Sequence, residues 1–61
     1  MCDTSAFIVK DGTQELVMSS LSRVIINGTD IEISNIFGEI KKVSGKIKEI
    51  DYSENRLVIV P

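Results

Sequence analysis

The first half of the chain alternates short apolar runs with turn residues, and no stretch keeps the 3.6-residue spacing of an amphipathic helix. TSAFIVK (4–10) predicts a first strand that ends at Asp11-Gly12, a dipeptide typical of tight hairpin turns. QELVM (14–18) is then its antiparallel partner. A helix over 14–22 is the alternative, because Gln, Glu, Leu and Met are good helix formers. The preceding Asp-Gly favours the strand.

A second hairpin is indicated by SRVIIN (22–27), which ends in another tight-turn dipeptide, Asn27-Gly28, before DIEIS (30–34). The two isoleucines of DIEIS alternate with glutamate and serine, as a strand with one wet face requires. This segment therefore predicts a second antiparallel pair.

The second half of the chain departs from simple alternation. NIFGEI (35–40) predicts a bend, with Phe37 plugging the core. KKVSGKIKEIDY (41–52) predicts one long strand whose inward-facing positions change phase, which implies a β-bulge or a sharp bend assisted by Gly45. RLVIV (56–60) then closes the sheet. Six short strands in 61 residues predict an all-β fold with one domain over 1–61, a small antiparallel β-barrel of SH3 or Sm-like size.

A domain this short has a thin core and usually needs a disulfide, a metal or a partner subunit. The single cysteine cannot form an internal disulfide, and the Cys and His pairs of a structural zinc site are absent from the sequence. A homodimer, with a metal shared between its subunits, is the remaining option.

Composition narrows the class of protein further. The hydrophobic fraction of 43% is too high for a disordered chain, and no apolar run is long enough to span a membrane. A free thiol without an export signal predicts a cytoplasmic protein with no membrane partner. The chain has no histidine, and its nine carboxylates are dispersed, so we expect no enzyme activity.

The lone thiol of Cys2 is the main candidate for chemistry. A free cysteine is often a small buried hydrophobe, but a residue so near a chain end is seldom deeply buried. A thiolate close to the terminal amine or a backbone amide nitrogen can instead chelate Ni(II) or Cu(II), which favour planar nitrogen and sulfur donors. Two such termini related by a two-fold axis would complete a square of two nitrogens and two sulfurs, with one metal per dimer. The amine would come from Cys2 if Met1 is removed and from Met1 if it is kept.

A second group of residues is the lysine-rich stretch KKVSGKIK. On one continuous strand, Lys42, Lys46 and Lys48 would share a face and could follow the phosphates of single-stranded RNA. The alternative is an ordinary charged strand face or a guarded edge. The formal net charge of −2 and the scarcity of aromatic residues favour the alternative.

Taken together, these segments resemble the CooT family of small nickel-binding accessory proteins, over nearly the whole chain. The segments that carry the resemblance are the initial Met-Cys, DG (11–12), LVM (16–18), IEISNIFGE (31–39) and VSGKIKEIDYSENRLVI (43–59). The resemblance implies a homodimer of small β-barrels that binds one Ni(II) through Cys2, with a role in delivering nickel to carbon monoxide dehydrogenase. Relatives have also been labelled as predicted RNA-binding proteins, for which Lys42, Lys46 and Lys48 are the residues to test.

Overall fold

The computed structural model describes residues 3–61, which form seven strands connected by short turns. The strands are β1 (Ser5–Lys10), β2 (Thr13–Met18), β3 (Leu21–Asn27), β4 (Asp30–Asn35), β5 (Ile40–Ser44), β6 (Lys46–Asp51) and β7 (Arg56–Val60). The predicted all-β class is confirmed, and 14–18 is a strand and not part of a helix. Between residues 3 and 61 there is no helix with the length and apolar character needed to cross a membrane.

Both predicted hairpins are present. The first has its predicted turn at Asp11-Gly12, whereas the second turn lies at 28–29, one residue after the predicted Asn27-Gly28, because Asn27 is still paired in β3. Lys10 pairs with Thr13 across Asp11-Gly12, and Asn27 pairs with Asp30 across the next turn. Asp11 and Gly12 both have positive φ, at 53° and 77°, as a type I′ turn requires. Local turn chemistry therefore fixes the register next to each turn. The register shifts further along, between Ala6 and Phe7 in β1 and between Leu21 and Arg23 in β3.

The strands are arranged in two sheets rather than in one rolled sheet. Four strands form the order β2-β1-β7-β6, and three form the order β3-β4-β5. The last strand, β7, lies between β1 and β6, antiparallel to β6 but parallel to β1. The predicted closing strand thus occupies the middle of the larger sheet and joins the two ends of the chain.

The long strand predicted over 41–52 is divided, so the chain has seven strands and not six. Gly45 separates β5 from β6, and these two strands belong to different sheets. Its φ of 148° is one that side chains rarely adopt, and a Cβ there would overlap the carbonyl oxygen of Val60. The predicted change of phase also occurs within β6, where the pairing with β7 shifts at Lys48.

The core lies between the inner faces of the two sheets. Its fully buried large side chains are Leu21, Ile31, Ile33 and Ile59. Burying a side chain of this kind stabilises the fold by about 1.5–3 kcal/mol relative to leaving it in water. The core is correspondingly thin, as the chain length predicts.

The prediction that Phe37 plugs the core is wrong, because 73% of this side chain is exposed. Asn35 is buried at the end of β4 instead, and its side-chain oxygen accepts hydrogen bonds from the amides of Phe37 and Glu39 at 3.0 and 2.9 Å. These bonds hold the turn with Phe37 at its apex, turned towards solvent.

Candidate metal centre at the amino-terminal end

The topology brings four segments together at the end of the molecule where β1 begins. We call this the amino-terminal end, formed by 3–4, 19–20, 35–39 and 51–55. Three backbone hydrogen bonds connect the segments in series: Ser5 N to Asn55 O at 2.9 Å, Leu21 N to Thr4 O at 2.9 Å, and Ile36 N to Ser20 O at 3.0 Å. The start of the chain is therefore tied to both sheets.

Thr4 fixes the position from which the amino terminus leaves the fold. It is buried, and its carbonyl oxygen accepts the hydrogen bond from the amide of Leu21. Asp3, which precedes it, is exposed. Cys2, the predicted metal ligand, lies outside the described residues, as does Met1.

A carboxylate that the sequence analysis did not single out, that of Asp51, lies at the same end. Its Oδ1 accepts hydrogen bonds from the Ser53 hydroxyl at 2.6 Å, the Glu54 amide at 3.1 Å and the Ser53 amide at 3.0 Å. The Ser53 hydroxyl contributes most to lowering the pKa of Asp51, with smaller contributions from these amides and from the positive charge of Arg56. Asp-x-Ser at the end of a strand is a typical side-chain-stabilised turn, and that signal could have identified this residue.

An apolar groove opens beside Thr4 and Asp51. It has a volume of about 210 Å³ and lies between β3 and β6, which are edge strands of different sheets. We call it the β3–β6 groove. Its apolar walls include Leu21, Val24, Ile26, Ile47, Ile50 and Tyr52. No sequence pattern indicates this groove, because only the arrangement of the two sheets determines which edge strands face each other.

The candidate RNA-binding lysines do not lie on one strand. Lys42 is on β5, where it pairs with Glu32 of β4, whereas Lys46 and Lys48 are on β6 in the other sheet. The break at Gly45 and the shift at Lys48 remove the common parity on which the prediction of a single face rested. All three side chains are exposed. RNA binding itself stays a prediction.

Residues 3–61 contain no group of three or more His, Cys, Asp or Glu side chains placed to hold a metal ion. The donors proposed from the sequence are of another kind, namely one thiolate and main-chain nitrogens at the amino terminus. Asp3, Glu39, Asp51 and Glu54 are the carboxylates in the described segments at this end.

Comparison with known proteins identifies the family of the chain and a similar solved structure. The family model described as CO dehydrogenase accessory protein CooT matches residues 1–60. A solved structure described as "Crystal structure of putative CooT from Carboxydothermus hydrogenoformans" is 30% identical in sequence and superposes with a TM-score of 0.86, over 97% of this chain and 95% of that one. No curated protein matches the chain. The family is one of accessory proteins rather than catalytic enzymes. The match over almost the entire length, with the shared fold, shows that the chain belongs to the CooT family of CO dehydrogenase accessory proteins.

Proposed function

We propose that this chain binds Ni(II) as a homodimer and delivers or stores it, with Cys2 of both subunits as ligands. The observation that carries the proposal is the position of Thr4, which is buried and hydrogen-bonded to the core two residues after Cys2. A metal-binding segment so short needs a rigid base, and the bond to Leu21 supplies one. Membership of the CooT family supports the same function.

The proposed donors suit nickel. A thiolate with main-chain nitrogens forms small chelate rings, and mixed nitrogen and sulfur donors in a plane favour Ni(II) or Cu(II) over zinc. One amino terminus supplies half of such a set. A two-fold axis close to this end would bring a second, identical half and so give one ion per two chains.

The client follows from the family description, which names CO dehydrogenase as the enzyme served. We infer that nickel is the cargo carried to that enzyme, and that the ion is held near the protein surface, where it can be transferred. Asp3, the residue that follows Cys2 in the chain, is exposed, which supports a site at the surface.

The test is a titration of the full chain, with its native amino terminus, with Ni(II), followed by thiolate-to-metal charge-transfer absorption. We expect saturation at one ion per two chains and loss of the band in Cys2→Ser, with an unchanged far-ultraviolet spectrum. Asp3→Asn is the matched control, because it keeps every thiolate and main-chain donor, and it should retain the band. Unchanged nickel binding by Cys2→Ser would refute the proposal.

The nitrogen donor is identified by a second variant. Extending the chain by two residues before Met1 moves the terminal amine away but leaves the Cys2 thiol and amide in place. Weaker binding by at least tenfold shows that the amine is a ligand, and mass spectrometry of the native chain shows whether that amine belongs to Met1 or Cys2. Equal affinity assigns the nitrogen to the backbone.

A further inference from the structure

The peptide group between Thr4 and Ser5 uses both of its hydrogen-bonding atoms. Its carbonyl oxygen accepts a hydrogen bond from the amide of Leu21 at 2.9 Å, and its N–H donates one to the carbonyl oxygen of Asn55, also at 2.9 Å. Leu21 begins β3 in the smaller sheet, whereas Asn55 directly precedes β7 in the larger sheet. Because a peptide group is planar, two bonds on opposite sides fix its orientation between the two sheets.

The series of hydrogen bonds continues beyond Leu21. The amide of Leu21 shares a peptide group with the carbonyl of Ser20, which accepts a 3.0 Å hydrogen bond from the amide of Ile36. Three hydrogen bonds therefore follow one another through two complete peptide groups, with the same direction from donor to acceptor. Hydrogen bonds arranged in such a chain polarise one another and become stronger. The turn at 35–39 and the starts of β3 and β1 are connected in this way.

Two residues of this series have an unusual backbone conformation. Among residues 3–61, the non-glycine residues with positive φ are Asp11 (53°), Ser20 (57°) and Asn55 (54°). Asp11 belongs to the tight turn after β1, and that turn type requires positive φ. Ser20 and Asn55 lie at the amino-terminal end instead, and the carbonyl oxygen of each accepts a hydrogen bond of the series. Backbone strain of this kind is typical of functional sites.

The conformation of Asn55 sets the direction in which its carbonyl group points towards Ser5. The turn before it is held by the Asp51 carboxylate, which accepts hydrogen bonds from the amides of Ser53 and Glu54. The side chain of Asn55 is exposed, and asparagine is one of the few residues that tolerate positive φ. Asn55 therefore acts through its backbone, and its residue type matters because it permits this conformation.

We propose that Asn55 and Ser20 are positioning residues for the nickel site, a role that rests on the proposed function. Asn55 holds the Thr4–Ser5 peptide group directly, and Ser20 belongs to the peptide group that donates to it. The Thr4–Ser5 group is the point at which the fold fixes the chain that leads from Cys2. Neither positioning residue touches the ion. Groups beyond the ligands that orient a metal site change its affinity by roughly 10–100-fold when they are substituted.

The experiment compares the nickel affinity of variants that differ in their tolerance of positive φ at residue 55. Valine strongly disfavours positive φ because it is β-branched, whereas glycine adopts it without steric cost. We expect Asn55→Val to bind Ni(II) at least about tenfold more weakly than the native chain, with a shifted thiolate-to-metal charge-transfer band. Asn55→Gly should keep the native affinity and the native band, because it preserves the backbone conformation.

Asp11→Val is the matched control. It creates the same conformational conflict, at a φ of 53°, in the turn at the opposite end of β1. We expect this variant to lose stability but to keep the native nickel affinity, since Asp11 takes no part in the series of hydrogen bonds. Urea denaturation measures the stability of each variant, and sedimentation velocity checks that the samples compared have the same oligomeric state.

Ser20→Val and Ser20→Gly repeat the comparison at the second position, in case Asn55→Val does not fold. Hydrogen exchange at the amides of Ser5 and Leu21 in the metal-free chain follows the bonds themselves, and it should be faster in Asn55→Val but not in Asn55→Gly. Folded valine variants that bind nickel as tightly as the native chain, or Asp11→Val weakening binding as much as Asn55→Val, would overturn the positioning role and leave the metal site standing. A native chain that binds no nickel would refute the proposed function, and the positioning role with it.

Discussion

The amide of Leu21 donates a 2.9 Å hydrogen bond to the carbonyl oxygen of Thr4, joining the first residue of β3 to the residue just before β1. Leu21 is fully buried in the core, so its position is set by packing on all sides. The residue that precedes β1 is in this way joined directly to the packed core. The stability of the core and the geometry of the candidate metal centre should therefore change together.

Leu21→Ala tests the placement of Leu21 in the core. Removing a fully buried leucine side chain should lower the free energy of unfolding by about 2–5 kcal/mol, measured by urea denaturation. Leu16→Ala, which truncates a leucine that is mostly in water, should cost less than about 1 kcal/mol. Equal losses in the two variants would contradict the placement of Leu21 in the core.

Asn35→Ala tests the turn that holds Phe37 in solvent. The substitution removes the acceptor of two amide hydrogen bonds, and losing a hydrogen bond at a site that water can reach costs about 0.5–1.5 kcal/mol. Hydrogen exchange should become faster at the amides of Phe37 and Glu39. The control is Glu39→Gln, whose amide oxygen can still accept the 2.6 Å hydrogen bond that Asn35 Nδ2 donates to Glu39 Oε1, so this variant should exchange as slowly as the native chain.

Gly45→Ala tests the crossing between the two sheets. A methyl group there would meet the backbone of Val60 and Pro61, which cannot move aside as a flexible side chain can, and the positive φ adds backbone strain. We expect a loss of more than about 2 kcal/mol or failure to fold. Gly12→Ala also has positive φ but no atom within 4 Å of the added methyl, so it should cost only about 1–2 kcal/mol of strain.

Asp51→Asn tests the turn at the amino-terminal end through its pH dependence. The folded chain lowers the pKa of Asp51, chiefly through the Ser53 hydroxyl, so the ionised carboxylate stabilises the fold at every pH above its unfolded pKa of about 3.9. That contribution is lost as pH falls below about 3.9 and through the lower folded pKa. The difference in unfolding free energy between native chain and variant should thus be constant from pH 7 to 5 and shrink below pH 4.

Ser53→Ala provides the comparison for that measurement. It removes the hydroxyl donor at 2.6 Å but leaves the two amide donors. Ser53→Ala should therefore lower the free energy of unfolding less than Asp51→Asn does, over the same pH range. A difference in unfolding free energy between the native chain and Asp51→Asn that grows as the pH falls would contradict the lowered pKa of Asp51.

Most of the strands could be predicted because their signals are local. Asp11-Gly12 sets the first two-residue turn, Gly28 opens the second one residue later than predicted, and RLVIV forms β7 over the predicted residues 56–60. The bend at Gly45 was also predicted. The assignment of β5 and β6 to different sheets was not predicted. Whether a bend keeps a strand in its sheet depends here on contacts with Val60, which is far away in sequence.

The sequence by itself determined the all-β class, the first two hairpins and the amino-terminal position of the single thiol, since each depends on neighbouring residues or on composition. The tertiary structure alone decided that Phe37 faces water, that the lysines at 42, 46 and 48 are divided between two sheets, and that Thr4 opens onto an apolar groove. The physical reason is that a side chain's exposure depends on which strands pack over it. In a chain with so thin a core, nothing covers the edge strand β3 fully. Ile26 on this strand is therefore 61% exposed, although its partner Ile31 is fully buried.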